Sequence, residues 1–440
     1  MNRESSFAEL AGKGVLLYSD GYRTRHDQLG TDGFPILRVA EVAEGHLEVD
    51  GNEERVQFAY RENIGPKLAT EGDVILTTKG TVGRRAMVPS GFQSYVYSPQ
   101  VCFFRVLDRA VLDPRYLYYW FGSPDFEEKS AGLRSQTDMA DYISLRDLAQ
   151  VRVPLPPLAD QHAIAHVLGS LDDKIELNRR MNQTLEEICR ALFKFWFVDF
   201  GPVRAKMEGR WKKGESLPGM PADMWDLWPS EFEESEIGEI PKGWETLPLD
   251  KIAYFHNGLA LQRFPPSGDS WLPVLKITQL RAGRTEPGGE RANSQIPAEC
   301  IVDDGDVIFS WSGSLEVRIW CGGKAALNQH LFKVTSTVFP RWFYYSWVRQ
   351  HLPEFREIAL DKATTMGHIQ RFHLTDALVA VPPSAVLDRS TQLIEPLLQF
   401  AVQASVESRS LASTRDALLP KLLSGEIRVR VGETEEANTS

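Results

Sequence analysis

The chain has 440 residues, of which 42% are hydrophobic, 10% aromatic and 25% charged, a composition that excludes a disordered polymer and favours two or three globular domains. No run of about 18 apolar residues occurs and the first residues, "MNRESSFAELAGKG", lack a signal-peptide core, so the expected location is the cytoplasm, with no membrane partner. The net charge of −11 speaks against a uniformly basic nucleic-acid binder, and the four isolated cysteines, Cys102, Cys189, Cys300 and Cys321, offer neither a disulfide framework nor a zinc site.

From the N-terminus, short apolar runs with turn residues between them predict a β-rich unit. "LLYSDGYRTR" (16–25) and "FPILRVAEV" (34–42) come first, then "EGDVILTTKGTVG" (71–83), in which Gly-Asp introduces a strand and small polar residues end it. "SPQVCFFRV" (98–106) follows. "DPRYLYYW" (113–120) then carries aromatics on successive turns, as in an amphipathic helix packed on the sheet. "VPLPPLAD" closes the unit with prolines and offers an N-cap.

After these prolines, apolar residues recur at alternating steps of four and three: Ile164, Leu168, Leu171, Ile175, Asn178, Asn182, Leu185, Cys189, Leu192 and Trp196. That spacing is the seam of a coiled coil. The helix would span nearly 40 residues, about 60 Å.

The second half repeats the first in the same order. "AYFHNGLALQ" (253–262), "LPVLKITQL" (272–280), "DGDVIFSWSGSLE" (304–316), "LNQHLFKV" (327–334), "FPRWFYYSW" (339–347) and "LVAVPP" (378–383) each match an earlier segment at an offset of about 230 residues. Six matches in series identify a duplication. A second seam runs through Leu387, Ser390, Ile394, Leu397, Ala401, Ala404, Ser408, Leu411, Arg415, Leu418 and Leu422, with Pro396 expected to kink or delay its helix. The fold class is therefore α+β: two similar mixed α/β domains separated by a pair of long, antiparallel coiled-coil helices.

Charge is also patterned. No acid lies between Asp73 and Asp108 while Lys79, Arg84, Arg85 and Arg105 do, and none lies between Glu316 and Glu354, where Arg318, Lys324, Lys333, Arg341 and Arg349 occur. The negative total is thus compatible with two basic faces.

The order of domain, "VPLPPLADQHAIAHVLGSLDDKIELNRRMNQTLEEICRALFKFWFVDF", linker with "GPVRAKMEGR" and "FEESEIGEIPKGWE", domain, and "RDALLPKLLSGEI" (415–427) resembles the DNA-specificity subunit of type I restriction-modification systems over essentially the whole chain. The resemblance implies a first target-recognition domain at 1–157, a first spacer helix at 158–200, a linker at 201–240, a second target-recognition domain at 241–383, a second long helix at 384–427 and a disordered acidic tail at 428–440. It further implies a non-catalytic subunit that reads a bipartite, asymmetric site in double-stranded DNA and docks two modification (adenine methyltransferase) subunits and restriction subunits. S-adenosylmethionine and ATP with Mg would then belong to those partners, with no cofactor in this chain. Rival readings are a self-contained methyltransferase and a scaffold that does not touch DNA.

The residues themselves carry no catalytic signature: there is no GxxxxGK loop and no NPPY-like or DPPY-like motif. His162 and His166 stand at i, i+4 but lack a third ligand, so they read as an exposed helix face and no metal is expected. For DNA, the candidates are Thr77, Thr78, Lys79, Arg84 and Arg85 after the first Gly-Asp strand, and Ser310, Trp311, Ser312 and Arg318 after the second, set against a core role for Trp311. Gln100 and Gln329 supply amides that suit adenine, set against burial beside the next strand. A third loop in each repeat adds Arg134, Ser135, Gln136, Lys362, Thr364, Thr365 and His368, set against a solvated turn. Asn178 and Asn182 interrupt an apolar seam and read as register-setting residues, since a heptad slip would move one helix by about 10 Å, or about three base pairs.

Overall fold

The computed structural model describes residues 3–43, 45–47, 54–133, 135–136, 141–361 and 367–429, apart from the side chains of residues 3, 135, 136, 141 and 361. Arg134, Lys362, Thr364, Thr365, the side chains of Ser135 and Gln136, and the acidic tail beyond Val429 lie outside these residues. Contacts divide the chain into two units: Met1–Lys174 with Leu411–Ser440, and Ile175–Ser410.

Unit 1 is built on a four-stranded antiparallel sheet in which Leu16–Asp20 pairs with Val101–Val106, that strand with Val74–Thr77, and that one with Arg85–Met87. The apolar runs form its centre because they are buried on both faces: Val74, Ile75 and Leu76 are fully enclosed, as continuous rather than alternating apolar strands require. One face packs on Phe7, Leu117, Trp120 and Phe126 and the other on Leu37, Val42 and Tyr97. Against it lies a smaller sheet where Phe34–Leu37 runs parallel to Val96–Tyr97. Arg3–Ser6 pairs with Arg152–Leu155 and ties the start of the unit to its end.

Unit 2 repeats this plan. Its main sheet has Tyr254–Asn257, Leu331–Thr335, Val307–Ser310 and Glu316–Ile319 in the same spatial order. Trp271–Leu275 runs parallel to Ala325–Leu327, and Glu245–Pro248 pairs with Leu378–Val381. The duplication is thus one of topology as well as of sequence. The helix Pro114–Trp120 departs from expectation, because five successive residues, Tyr116, Leu117, Tyr118, Tyr119 and Trp120, are buried, and only its first turn, with Arg115, reaches solvent. The stretch 201–240 also differs from the expected linker: Trp211, Met220, Met224 and Trp228 are buried in the core of unit 2.

The Gly-Asp that introduces each central strand has a structural role. Asp73 is fully buried, accepts two hydrogen bonds at 2.7 Å from the Arg105 guanidinium on the neighbouring strand, and accepts another at 2.6 Å from the Tyr97 hydroxyl. Burial, reinforced by the Asp73 charge, pushes the Tyr97 phenol well above its ordinary range, so Tyr97 stays a donor. In unit 2, Lys333 reaches Asp306 at 2.7 Å. Six of the nine cations in the basic windows are accordingly paired with acids, while Lys79 is exposed and forms no ion pair among the described residues. Arg105 is neutralised by Asp73, while Arg318 pairs with Glu316, Lys324 with Asp303, Lys333 with Asp306, Arg341 with Glu395 and Arg349 with Glu186.

The two long helices are Leu158–Phe193 and Ser384–Ser424. At about 1.5 Å per residue the first is about 54 Å long. They run antiparallel in each unit. In unit 1, Asp172 accepts from Arg415 at 2.6 Å and from the Tyr119 hydroxyl at 2.7 Å, and Ile164 and Leu168 share a core with Leu419 and Leu422. Arg415 therefore fills its seam position as an ion pair. In unit 2, Asn178 faces Ala404, Glu407 and Ser408, and Asn182 faces Ser405. The second helix neither starts late nor breaks at Pro396, which sits within it on an exposed face. There the lost amide bond leaves a carbonyl open to water, a cost smaller than in a packed interface.

Removing the Asp73 carboxylate leaves Arg105 and Tyr97 without their acceptor inside the sheet. Asp73→Ala is expected to destabilise unit 1 by about 3 kcal/mol, the lower end for breaking a buried pair because Arg105 keeps some access to water. Hydrogen exchange checks this: Val74–Thr77 and Val101–Val106 should exchange faster, and Val307–Ser310 should not change.

Candidate nucleic-acid interface

In each unit the main sheet ends in loops that its backbone gathers into one place. In unit 1, the Thr78 N–H donates to Gln100 O at 3.1 Å, and Thr78 O accepts from the Ile143 N–H at 2.9 Å. Lys79 bridges Tyr142, which pairs with Ser135. The Tyr22 N–H donates to Tyr97 O at 2.7 Å. This approach requires Gly21, since a Cβ there would lie 2.1 Å from the carbonyl oxygens of Tyr97 and Ser98.

Unit 2 repeats the bonds with other residues. The Trp311 N–H donates to His330 O at 3.4 Å, Trp311 O accepts from the Ile369 N–H at 3.0 Å, and Leu259 N–H donates to Leu327 O at 2.9 Å. Gly258 takes the place of Gly21, its would-be Cβ 2.2 Å from Asn328 O. The described ends of the three loops named from the sequence in each repeat therefore converge, together with a fourth, 21–27 in unit 1 and 258–263 in unit 2.

Within these loop ends the candidate residues separate by role. Thr77 is fully buried: its hydroxyl donates to Thr81 O at 2.5 Å and accepts from the Arg84 N–H at 3.0 Å. Thr78, Ser310 and Ser312 are buried as well, the Ser310 hydroxyl donating to Ser312 O at 3.1 Å. The Thr77 and Ser310 hydroxyls close their own turns, while that of Thr78 lies 3.4 Å from Gln100 O and that of Ser312 lies 3.0 Å from His330 Nδ1; all four are buried, a correction to the exposed placement expected of them. Arg85 also turns inward, its guanidinium 5.3 Å from the Tyr118 ring. Arg84 is half-buried and reaches Val42 O at 3.4 Å. Lys79 is exposed and forms no ion pair among the described residues. Arg318 is exposed beside Glu316.

Trp311 is neither fully in the core nor fully exposed. It is half-buried, packs 5.7 Å from Phe332, and lies 6.1 Å from His330 and 6.3 Å from His368. Gln100 and Gln329 are exposed, against the burial weighed for them. They are not equivalent. Leu37 pairs with Tyr97 and Leu275 with Leu327, so Ser98 matches Asn328, and Gln100 matches His330.

The sequence reading passed over one group. Arg23, Arg25 and His26 are exposed at the loop end of unit 1 and enter no ion pair among the described residues. Their signal was the run "YRTRH" directly after the glycine of a repeat motif, and unit 2 has "LALQR" there. His162 and His166 are exposed, and among the described residues no group of three His, Cys, Asp or Glu side chains could hold a metal. No described helix is long and apolar enough to cross a membrane.

Residues 33–187 match the family described as type I restriction modification DNA specificity domain. The chain is 26% identical over 380 residues to the type I restriction enzyme MjaIX specificity subunit of Methanocaldococcus jannaschii, covering 83% of this chain and 82% of that one. It is 22% identical over 408 residues to the HindI specificity subunit of Haemophilus influenzae, covering 82% and 88%. A crystal structure of the type I S subunit from M. genitalium shares the fold, with a TM-score of 0.53 at 15% identity over 96% of this chain and 95% of that one. Residues 33–187 thus match a type I restriction modification DNA specificity domain, and most of the chain is similar to specificity subunits of type I restriction enzymes.

Proposed function

We propose that this subunit reads a bipartite, asymmetric DNA site, each unit contacting one half through its gathered loops. The observation that supports this most is that one backbone frame is built twice while its exposed side chains differ. Unit 1 presents Arg23, Arg25, His26, Lys79 and Gln100; unit 2 presents Gln262, Arg263 and Gln329 beside the half-buried Trp311. Cations on loops suit phosphates, and amides suit base edges. Arg134, Ser135, Gln136, Lys362, Thr364, Thr365 and His368 belong to the third loops and are proposed to face DNA with them.

On this reading the helices dock two modification subunits, which bring S-adenosylmethionine and methylate adenine, and restriction subunits, which bring ATP with Mg. The assembly works in the cytoplasm. Footprinting of the complex reconstituted with its modification subunits is the test. Two protected patches about one helical turn apart are expected. A single continuous patch, or none, rejects the reading.

The exposed cations give a second expectation. If Arg23 and Lys79 each contact a phosphate, the Arg23→Ala, Lys79→Ala double variant lowers affinity and flattens the slope of log affinity against log salt by about 1.8, or about 0.9 per contact. Titrations of the complex at several salt concentrations measure it, and an unchanged slope removes both residues from the interface.

The seam amides give a third. Ser405 and Ser408 donate their own hydroxyls to Ala401 O and Ala404 O one turn back, which leaves lone pairs facing Asn182 and Asn178. Asn178 Nδ2 lies 3.2 Å from Ser408 Oγ and 2.8 Å from Glu407 Oε2, and Asn182 Nδ2 lies 2.9 Å from Ser405 Oγ. A heptad slip would exchange Ala404 opposite Asn178 for Leu397 or Leu411, and Ser405 opposite Asn182 for Leu398 or Ala412. We therefore assign Asn178 and Asn182 to fixing the helix register, and with it the spacer between half-sites. The Asn178→Leu, Asn182→Leu double variant is expected to methylate sites of more than one spacer length in a library varying only that length. The wild-type spacer profile in the variant would refute the assignment.

A further inference from the structure

The turn Asn328–Leu331 in unit 2 is tied down at every residue. The Asn328 N–H donates to Leu275 O at 3.1 Å, the Gln329 N–H to Leu259 O at 2.9 Å and the Leu331 N–H to Asn328 O at 3.0 Å. The His330 N–H donates to Asn328 Oδ1 at 3.2 Å. Gln329 is exposed at the apex of this turn.

Its side chain is oriented by a short relay. Gln329 Nε2 lies 3.3 Å from His330 Nε2, and His330 Nδ1 lies 3.0 Å from Ser312 Oγ. An amide nitrogen only donates, so His330 Nε2 accepts and the ring proton sits on Nδ1, where it donates to Ser312. Ser312 is buried, and its carbonyl accepts from the Ser310 hydroxyl at 3.1 Å. The relay engages one amide proton of Gln329 and leaves the other, with Oε1, uncommitted among the described residues. One N–H donor beside one carbonyl acceptor is the pair that adenine accepts on its major-groove edge, through N7 and the N6 amino group.

Given that unit 2 reads DNA through its loop end, we propose that Gln329 reads an adenine in one half-site and that His330 and Ser312 are positioning residues that hold its amide for that contact. In unit 1 the matching positions are Pro99 and Gln100, which cannot form this relay. The adenine contact is therefore specific to one half of the site.

The experiment uses the complex reconstituted with its modification subunits. The wild-type motif is first mapped from methylated adenines, and duplexes substituted at each motif position then compete for binding. Gln329→Leu is expected to reduce discrimination at a single adenine of a single half-site, by between about 5-fold and about 150-fold, with the other half unchanged. Gln329→Glu is expected to shift the preference there toward cytosine, because a carboxylate accepts from the cytosine amino group. His330→Leu should weaken discrimination at that position alone. Position profiles identical to wild type in Gln329→Leu, or a uniform loss over all duplexes, would overturn the assignment. Failure of the wild-type complex to protect DNA would instead overturn the reading of unit 2 on which it rests.

Discussion

The backbone of one residue per domain organises each candidate interface. The residue after the central strand, Thr78 in unit 1 and Trp311 in unit 2, donates its N–H to one loop and accepts with its carbonyl from another. A backbone contact does not depend on side-chain identity. The frame can therefore stay fixed while Thr is exchanged for Trp and the loop residues change around it. This is what a recognition protein requires, because bonds that position the loops are separated from side chains that choose the ligand. The glycines Gly21 and Gly258 serve the same frame: each lets a fourth loop lie against carbonyl oxygens that no Cβ could approach.

Much of this plan could be read from the sequence, and the reasons differ by element. The duplication was visible because apolar strands and Gly-Asp turns leave order-preserving matches, and buried strands tolerate few residue types. The coiled-coil seam was visible because its 4-3 spacing is local. The basic windows misled because Asp73 precedes Arg105 by a whole strand, and pairing across strands places them at 2.7 Å. Charge counted along a chain says little about charge summed across a sheet. The hydroxyls of Thr77, Ser310 and Ser312 misled for a related reason. A polar residue at a strand end serves a ligand or a turn equally well, and only the direction of the pleat decides which.

Gln100 and Gln329 stand one position apart in the two repeats. Apolar matching aligned their strands to within a residue or two, enough to find the repeat. It was not enough to say which amide heads which turn. One residue of offset in a β-strand reverses the face presented, and here it separates an amide oriented by a histidine from an amide that occupies the histidine's own place.

The helix seam applies the same separation of frame from choice. Leucine and isoleucine layers supply association without distinguishing one heptad from the next, since each layer offers the next much the same surface. The layer at Asn178 and Asn182 differs because the opposing helix is small there, with Ala401, Ala404, Ser405 and Ser408, and because two serine hydroxyls direct their protons back into their own helix. The buried Oδ1 atoms of both asparagines find no partner among the described residues, so the layer is less favourable than leucine would be. A sequence that keeps such a layer gains alignment at the expense of cohesion. Alignment has value only if the distance along the helices is itself used, which connects the polar layer to a function that depends on spacing.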